Sequence, residues 1–340
     1  MNPCPLYVAG VGACLPDRET AEEAVAANRY DAESAQTDGV RSACVETERY
    51  PAEMAAIAGR GALAMASARD FGTVRAVFHS YVDYQGAHYW QAAPYVALHT
   101  VGRDVPSFDV VQECNGAMGA LELGRRFVTG PEDAVLVTTG DRFDSPWVRR
   151  WYGDQSVLAD GGSALLLSGS GGFARILSLS TMADNSLEGE ARGGGFAGAQ
   201  QPPVDFDAMR KQFHAKDLPM LEHYGRMAAL FGASLHRVLD EAGITAADLA
   251  FAVPVVTTAA RAADIADRFL GIPLERTNWE FGRTTGHLGT GDQFAGLHHL
   301  VSTGRARKGD RILLLGGGTG YTITSAVLEM LEDSPDPERN

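Results

Sequence analysis

Basic charge is scarce in this chain. Only three lysines occur among its 340 residues, and the formal net charge at pH 7 is −14. Proteins that bind nucleic acid need clustered Lys and Arg side chains to neutralise phosphates. The composition therefore argues against a nucleic-acid partner.

Cysteines and long apolar runs are also few. The four cysteines form no CxxC pair and have no histidine at metal-ligand spacing, so we predict reduced thiols and no metal site. No apolar run approaches the ~20 residues that cross a bilayer. The N-terminal stretch MNPCPLYVAGVGACLP lacks the charged start and the long apolar core of a signal peptide. We therefore expect a cytoplasmic protein with no membrane partner.

What the chain does contain is an alternation of strand-like and helix-like runs. With 45% hydrophobic residues it can bury a large core. Strand-like runs such as AVLVTTGD and RILLLGGGTG alternate with helix-like runs such as PAEMAAIAGRGALAMASA, which is typical of an α/β fold. Similar turn residues precede AVLVTTGD and RILLLGG, and they suggest two similarly built halves that meet near residue 172.

The alternation stops over residues 187–221. This segment contains GEARGGGFAGAQQPPVDFDAMRKQFHAKDLP, which is rich in Gly and Pro. Connections of this length in compact domains usually have a function. We predict a cap or binding loop, with a passive linker as the alternative.

One cysteine stands at the junction of a strand-like and a helix-like run, in FDVVQECNGAMGALELGRRFV. From Gly116 the apolar positions recur at three and four residues, which predicts a helix that ends before Thr129. Cys114 therefore precedes a helix N-terminus, where free N–H groups favour a thiolate and can bind an oxyanion. A nucleophile and a buried, inert cysteine are both compatible with this turn.

A thiolate nucleophile needs a base, and His287 is the candidate histidine that stands out. It lies in FGRTTGHLGTGDQFAGL, where four glycines make a regular helix improbable. Residues five apart point away from each other on a helix, so His287 and Asp292 can pair only through a bend. Such a pair would fix the imidazole tautomer. The alternative is a loop histidine beside an aspartate that caps a helix.

Two glycine-rich segments do not fit a dinucleotide-binding loop, which must open a helix. The first, GVGACLP, lacks the third glycine and contains Pro16 where a helix should run. The second, GGGTGY, is followed by the strand-like run TITSAV. We predict that residues 316–320 form a tight bend that brings backbone N–H groups close to a reacting atom, or else a simple turn.

Taken together, these segments resemble the thiolase superfamily, specifically its β-ketoacyl-ACP synthase III (KAS III) branch. The segment GVGACLP resembles the family's opening strand and turn. The segment FDVVQECNGAMGALELG resembles the family's nucleophile segment, and LADGGSALLLS resembles its strand before the midpoint. Its Gly-Asn-Thr-Ser segment resembles FGRTTGHLGTGD, and its C-terminal glycine run resembles GGGTGYTITSAV. The resemblance covers nearly the whole chain.

The resemblance implies a thiolase-like, five-layered αβαβα fold made of two similar halves, residues 1–172 and 173–340, and a homodimer. It implies that Cys114 accepts an acyl group from the phosphopantetheine of CoA or of acyl carrier protein, with no tightly bound cofactor. The backbone amides of Cys114 and Gly320 match the family's two oxyanion donors.

Two positions depart from the decarboxylating members of the family. Those members have a histidine after Pro254, where this chain has Val255, and an asparagine at the position of Arg283. Both donors to the enolate formed by decarboxylation are therefore missing. Instead, His287 and Asp292 resemble the Cys–His–Asp or Ser–His–Asp sets of KAS III-like enzymes in antibiotic pathways, which include acyltransferases.

We therefore predict an acyltransferase of secondary metabolism. Cys114 forms the acyl-enzyme, and His287, oriented by Asp292, deprotonates a hydroxyl, amine or carrier-thiol acceptor. One alternative is a KAS III-type decarboxylating condensing enzyme in which His287 replaces the missing histidine. Another is a non-enzymatic subunit that uses the fold as a dimer scaffold.

Further substrate contacts are predicted from two charged features. Arg283 either binds a carboxylated acyl group such as malonyl or forms a structural ion pair. The cluster WVRRW either meets a phosphopantetheine arm or forms an exposed loop. The segment YVDYQGAHYWQAAPYV is expected to line the pocket, to form dimer contacts or to join the core.

Overall fold

The fold is described from a computed structural model that covers residues 4–151, 156–193, 195–196 and 204–334. The strands are β1 Leu6–Cys14, β2 Arg18–Thr20, β3 Ser42–Cys44, β4 Thr73–Ser80, β5 Ser107–Val110, β6 Asp133–Asp141, β7 Gly161–Ser168, β8 Ala174–Ala183, β9 Leu249–Pro254, β10 Arg311–Gly318 and β11 Thr322–Met330. The helices are α1 Ala21–Ala26, α2 Ala32–Asp38, α3 Pro51–Ala66, α4 Ala92–Leu98, α5 Gly116–Gly124, α6 Gly189–Arg192, α7 Phe206–Lys216, α8 Met220–Ala242, α9 Ala259–Asp264, α10 Trp279–Thr285 and α11 Asp292–Ser302.

Nine strands are hydrogen-bonded in the order β5-β4-β6-β7-β1-β8-β11-β10-β9, and β2 pairs separately with β3. Read outward from the antiparallel β1–β8 contact, the two sides repeat one pattern. On each side two antiparallel pairs are followed by a parallel pair, β6–β4 on one side and β10–β9 on the other. The boundary predicted at residue 172 falls between β7 and β8, and as a domain boundary it stays a prediction.

Helices α5 and α11 lie between the two parts of the sheet, which are the strands from β5 to β1 and the strands from β8 to β9 in the order given above. Leu121 of α5 and Phe294 of α11 belong to one buried cluster that also contains Val137 of β6 and Leu314 of β10. Because strand side chains alternate between faces, these positions identify the inner faces of both parts. The two helices form the middle layer of the protein.

Other helices cover the outer faces. Leu136 of β6 packs in a cluster with Met54 of α3, and Leu313 of β10 packs in another with Val238 of α8. The layers therefore follow the order α3, sheet, α5 with α11, sheet, α8. This arrangement confirms the predicted αβαβα fold.

Three local expectations need correction. The helix after Cys114 ends at Gly124 rather than near Thr129. Helix α10 contains Gly282, a position predicted to be non-helical. Glycine is found there because a Cβ would lie 2.8 Å from a Val256 methyl group, and this close packing excludes a larger residue. The first three glycines of residues 316–320 belong to strand β10, and the bend lies only at residues 319–321.

None of the helices in the described ranges combines the length and the apolar character needed to span a bilayer.

Candidate active site

Cys114 lies in a short 3-10 turn between β5 and α5. The turn is pinned by Asn115, whose side-chain oxygen accepts a hydrogen bond from the Thr324 amide at 3.1 Å. Glycine is required at position 116, since a Cβ there would lie 2.0 Å from the Ser80 hydroxyl oxygen. These constraints hold the cysteine just ahead of the helix, as the sequence predicts.

The structure brings together the three side chains that the sequence selects as nucleophile, base and orienting acid. Cys114 Sγ lies 3.0 Å from His287 Nε2, and His287 Nδ1 lies 2.6 Å from Asp292 Oδ2. His287 is 4% exposed and Asp292 is 1% exposed. The contacts form a continuous hydrogen-bonded chain from the thiol to a buried carboxylate.

The loop between α10 and α11 supplies the bend that this pairing needs. Gly286 ends α10 with φ of +81°, a conformation that favours glycine. The backbone of His287 is then fixed on both sides, because its N–H donates to Val157 and its carbonyl accepts from Ala159, each at 2.8 Å. The imidazole is therefore held by a rigid backbone.

Asp292 is the first residue of α11, and both of its carboxylate oxygens accept hydrogen bonds. Its Oδ1 accepts from the Leu288 amide at 2.8 Å, and its Oδ2 accepts from the Val256 amide at 2.6 Å as well as from His287. These bonds fix the carboxylate in one orientation. In turn, they fix the tautomer in which His287 presents Nε2 to the sulfur.

The charges of the Cys114–His287–Asp292 set stabilise an imidazolium. Burial alone would lower the pKa of His287, but the Asp292 carboxylate and the Cys114 sulfur raise that pKa well above its usual value. The thiolate is the nucleophilic form of cysteine, and a positively charged His287 lies beside the Cys114 sulfur.

The hydrogen-bonded Cys114–His287–Asp292 set opens onto a cavity of about 470 Å³. Its apolar wall consists of Val82, Phe143, Val148, Leu158, Val204, Phe206 and Met209. Its charged and polar lining includes Asp83, Glu113, Arg149, Glu190, Asp205, Arg210 and Thr319. Residues from α6, α7 and the stretch before α7 line one side, so the segment over residues 187–221 contributes to the cavity as predicted, although residues 194 and 197–203 lie outside the described ranges.

The cluster WVRRW divides between the cavity and the core. Trp147 and Arg149 line the cavity. Arg150 forms an ion pair with the buried Asp160 at 2.8 Å, and Trp151 is only 5% exposed. Trp147 and Arg149 are therefore placed to meet a ligand, whereas Arg150 and Trp151 have structural roles.

Arg283 has structural partners and is absent from the described lining of the cavity. Its Nε donates to the Gly39 carbonyl at 3.2 Å, and its guanidinium lies 3.3 Å from the Glu280 carboxylate and over the Trp279 ring. Helix α10 points this side chain toward the turn after α2, and a contact with the acyl group stays a prediction. The structural ion pair is the alternative that the structure supports.

Gly320 lies in the turn between β10 and β11, with φ of +127°. Its neighbour Thr319 lines the same cavity as Cys114. Glycine is the residue that adopts this conformation without strain. The function of the Gly320 amide as an oxyanion donor stays a prediction.

Two acidic residues of the cavity were missed by the sequence interpretation. Glu190 of α6 accepts a hydrogen bond from the Tyr321 hydroxyl, and Glu113 directly precedes the nucleophile candidate. The position next to Cys114 was a signal for the second of these. No sequence pattern connects Glu190 with residue 321.

In the described part of the chain, no group of three or more His, Cys, Asp and Glu side chains is arranged to hold a metal ion.

Comparisons with known proteins agree with this geometry. The sequence pattern of the C-terminal part of 3-oxoacyl-[acyl-carrier-protein] synthase III matches residues 239–330. A β-ketoacyl-[acyl-carrier-protein] synthase III from Syntrophomonas wolfei is 22% identical over 235 residues, which are 69% of this chain and 70% of that protein.

Solved structures extend the likeness to the whole chain. The acyltransferase ChlB3 superposes with a TM-score of 0.91 and 30% identity, and the match covers 97% of this chain and 99% of ChlB3. The 3-oxoacyl-[acyl-carrier-protein] synthase III from Aquifex aeolicus gives a TM-score of 0.78 at 19% identity, covering 95% and 99% of the two chains. The first match exceeds a likeness of fold alone. The chain belongs to the KAS III-like family of thiolase-fold enzymes.

Proposed function

We propose that this protein is an acyltransferase that carries its acyl group on Cys114. The observation that supports this most strongly is the chain of contacts Cys114–His287–Asp292 opening onto the cavity. A thiol, a base and an orienting acid in this order are the parts that covalent acyl transfer needs. The 30% identity with ChlB3, an acyltransferase, points the same way.

The first half-reaction loads the enzyme. The Cys114 thiolate attacks the carbonyl carbon of an acyl thioester carried by CoA or acyl carrier protein. The backbone amides of Cys114 and Gly320 bind the oxyanion of the tetrahedral intermediate. When the C–S bond of the donor breaks, the departing thiolate takes the proton from His287, which becomes neutral.

The second half-reaction transfers the acyl group. Neutral His287, held by Asp292, takes a proton from the acceptor as the acceptor attacks the acyl carbonyl. Breaking of the bond to Cys114 Sγ regenerates the thiolate beside the imidazolium. The resting ion pair is thereby restored, and no further reactant is needed.

The segment after β9 supports transfer over decarboxylating condensation. Val255 has no hydrogen-bond donor in its side chain, and the next amide, that of Val256, is used to hold Asp292. Arg283 is engaged by Gly39 and Glu280. Neither position offers a side-chain donor to the enolate that condensation requires.

The test is intact-mass analysis after incubation with a panel of acyl-CoA and acyl-carrier donors. We expect the wild type to gain the mass of one acyl group, and Cys114→Ala to gain none. Absence of any adduct on the wild type across the panel would reject the proposal. Release of CO₂ from a malonyl thioester with formation of a carbon–carbon bond would identify a condensing enzyme instead.

A further inference from the structure

Four carboxyl groups line the cavity, those of Asp83, Glu113, Glu190 and Asp205. Three of them accept hydrogen bonds from protein donors, namely a serine hydroxyl at 2.8 Å, a tyrosine hydroxyl and a backbone amide at 2.9 Å. Glu113 differs, because its carboxyl group forms no hydrogen bond or ion pair with any residue that the structure describes. One carboxyl group of the cavity is therefore available to a ligand.

The position of Glu113 is set by an unfavourable backbone conformation. It has φ of +49° and is one of three non-glycine residues with positive φ in the described ranges. This conformation costs on the order of 1–2 kcal/mol for an L-residue. The turn that places Cys114 in front of α5 is the same turn that directs Glu113 into the cavity.

Burial of Glu113 carries a second cost. It raises the pKa of the carboxyl group, and the positive charge on His287 offsets only part of this effect. A partly buried carboxyl group without a protein partner is destabilising. Groups retained at such a cost cluster at functional sites.

The number of protons released in the second half-reaction distinguishes the possible acceptors. A hydroxyl or thiol loses one proton on acylation, and His287 takes it. A primary amine is an ammonium ion at neutral pH, so it loses one proton before it can attack and a second when the amide forms. His287 accepts one of these protons, so an amine that binds as an ammonium ion needs another base in the cavity.

We propose that the acceptor is a primary amine and that Glu113 is the base that takes its first proton. The inference rests on the proposed acyl-Cys114 intermediate. The Glu113 carboxylate pairs with the incoming ammonium and removes one proton, and the resulting amine attacks the acyl carbonyl. His287 removes the second proton as the bond to Cys114 breaks. The products are an amide, the thiolate–imidazolium pair and a protonated Glu113.

The raised pKa of Glu113 supports this function. A carboxylate of ordinary basicity is a poor base toward an ammonium ion, and burial reduces the difference between the two. The negative charge also favours a cation over a neutral molecule of the same shape.

The experiment compares propylamine with 1-propanol, two nucleophiles of similar size. Wild-type enzyme is first loaded from the acyl-CoA that labels it and freed of donor by gel filtration. Loss of the acyl mass is then followed at pH 7 with each nucleophile, and the N-propylamide and propyl ester are quantified. Glu113→Gln, which keeps the shape of the side chain, is loaded and measured in the same way. Asp248→Asn, which removes a carboxylate from a helical cap outside the cavity lining, serves as the control.

We expect the wild type to react faster with propylamine than with 1-propanol, and the ratio of the two rates to fall about 100-fold in Glu113→Gln. Asp248→Asn should retain the wild-type ratio. The inference is overturned if Glu113→Gln keeps the preference for the amine, or if the wild type shows none. Failure to load Cys114 at all is seen before any nucleophile is added; it rejects the proposed function, and this inference with it.

Discussion

At the scale of single residues, Asp292 has little freedom to change. Its two oxygens accept from the His287 ring and from the amides of Val256 and Leu288. In Asp292→Asn, the NH₂ group has to face one of these donors, and the neutral amide cannot stabilise the imidazolium. We expect the rate of Cys114 acylation to fall about 10²- to 10⁴-fold, measured by rapid quench and intact mass.

The matched control is Asp248→Asn, which changes a carboxylate in a helical cap next to Thr245. This variant should acylate at the wild-type rate, because no contact of the Asp248 carboxylate involves the Cys–His–Asp chain. Wild-type acylation by Asp292→Asn would show that the carboxylate does not contribute to activation of the thiol.

Glu113 yields a prediction about stability that is independent of activity. Its folded-state pKa is raised by burial, so its contribution to stability is fully present below the unfolded value of ~4.3 and is lost as pH rises through the folded value. Glu113→Gln has no charge to bury. We expect its midpoint of thermal unfolding to exceed that of the wild type at pH 8, with a smaller excess at pH 4. An equal difference at both pH values would mean that the charge of Glu113 carries no penalty in the folded state.

The residues that were predictable from the sequence are those with a recognisable local context. Cys114 precedes a helix, and His287 and Asp292 share a glycine-rich bend. Glu113 has only its position next to Cys114 as a local signal, because its place in the cavity depends on a wall built from distant segments. The sequence left Arg283 open between a substrate contact and a structural ion pair, since its direction depends on α10, which the glycine content of that segment argued against.

At the scale of elements, the loop that carries His287 is tied to β6. Asp141, at the end of β6, accepts hydrogen bonds from the amides of Val82 and Asp83 at 2.7 and 3.0 Å and from Thr290 at 3.2 Å. It therefore joins one wall of the cavity to the loop between α10 and α11. Burial raises the pKa of this carboxyl group to about 7, against the opposing effect of these bonds.

Asp141→Asn should therefore change how stability depends on pH. The folded-state pKa exceeds the unfolded value of ~3.9, so the wild type loses stability relative to the variant as pH rises from about 4 to about 7. The variant also leaves the Thr290 amide without an acceptor, which lowers its stability by a similar amount at every pH. Thermal unfolding of both proteins from pH 4 to pH 8 measures this. Parallel curves would show that Asp141 does not change its proton affinity on folding.

Strands and helices were predictable where the apolar pattern within one segment is enough to determine its secondary structure. The buried strands β6 and β10 and the helix α3 appear where apolar runs and periodicity place them. The glycine run failed as an indicator of a bend because close packing explains it better: a Cβ at Gly318 would lie 2.5 Å from the Gln112 carbonyl oxygen. That contact joins β10 to the turn of Cys114, and it depends on the tertiary fold.

At the scale of the whole molecule, β5 forms one end of the nine-strand order, and no strand of the described residues pairs with its outer edge. Apolar side chains are exposed beside it, with Phe108 44% and Val111 62% accessible. An exposed edge with apolar neighbours favours pairing with another chain. The homodimer implied by the family resemblance stays a prediction, and this edge is the surface where we expect it to form.

A charge placed at this edge should separate the protomers. Val111→Glu would bury an unpaired carboxylate if the edges meet, which opposes association. We expect light scattering coupled to size exclusion to give a dimer mass for the wild type and a monomer mass for Val111→Glu at low micromolar concentration. Leu221→Glu is the matched control, since Leu221 is 87% exposed on α8, the outer helix of the other half of the fold. A monomeric wild type would exclude the dimer. A dimeric Val111→Glu would place the contact on another surface. Because β5 leads directly into the turn of Cys114, a monomeric variant would also show whether the partner chain is needed for acylation.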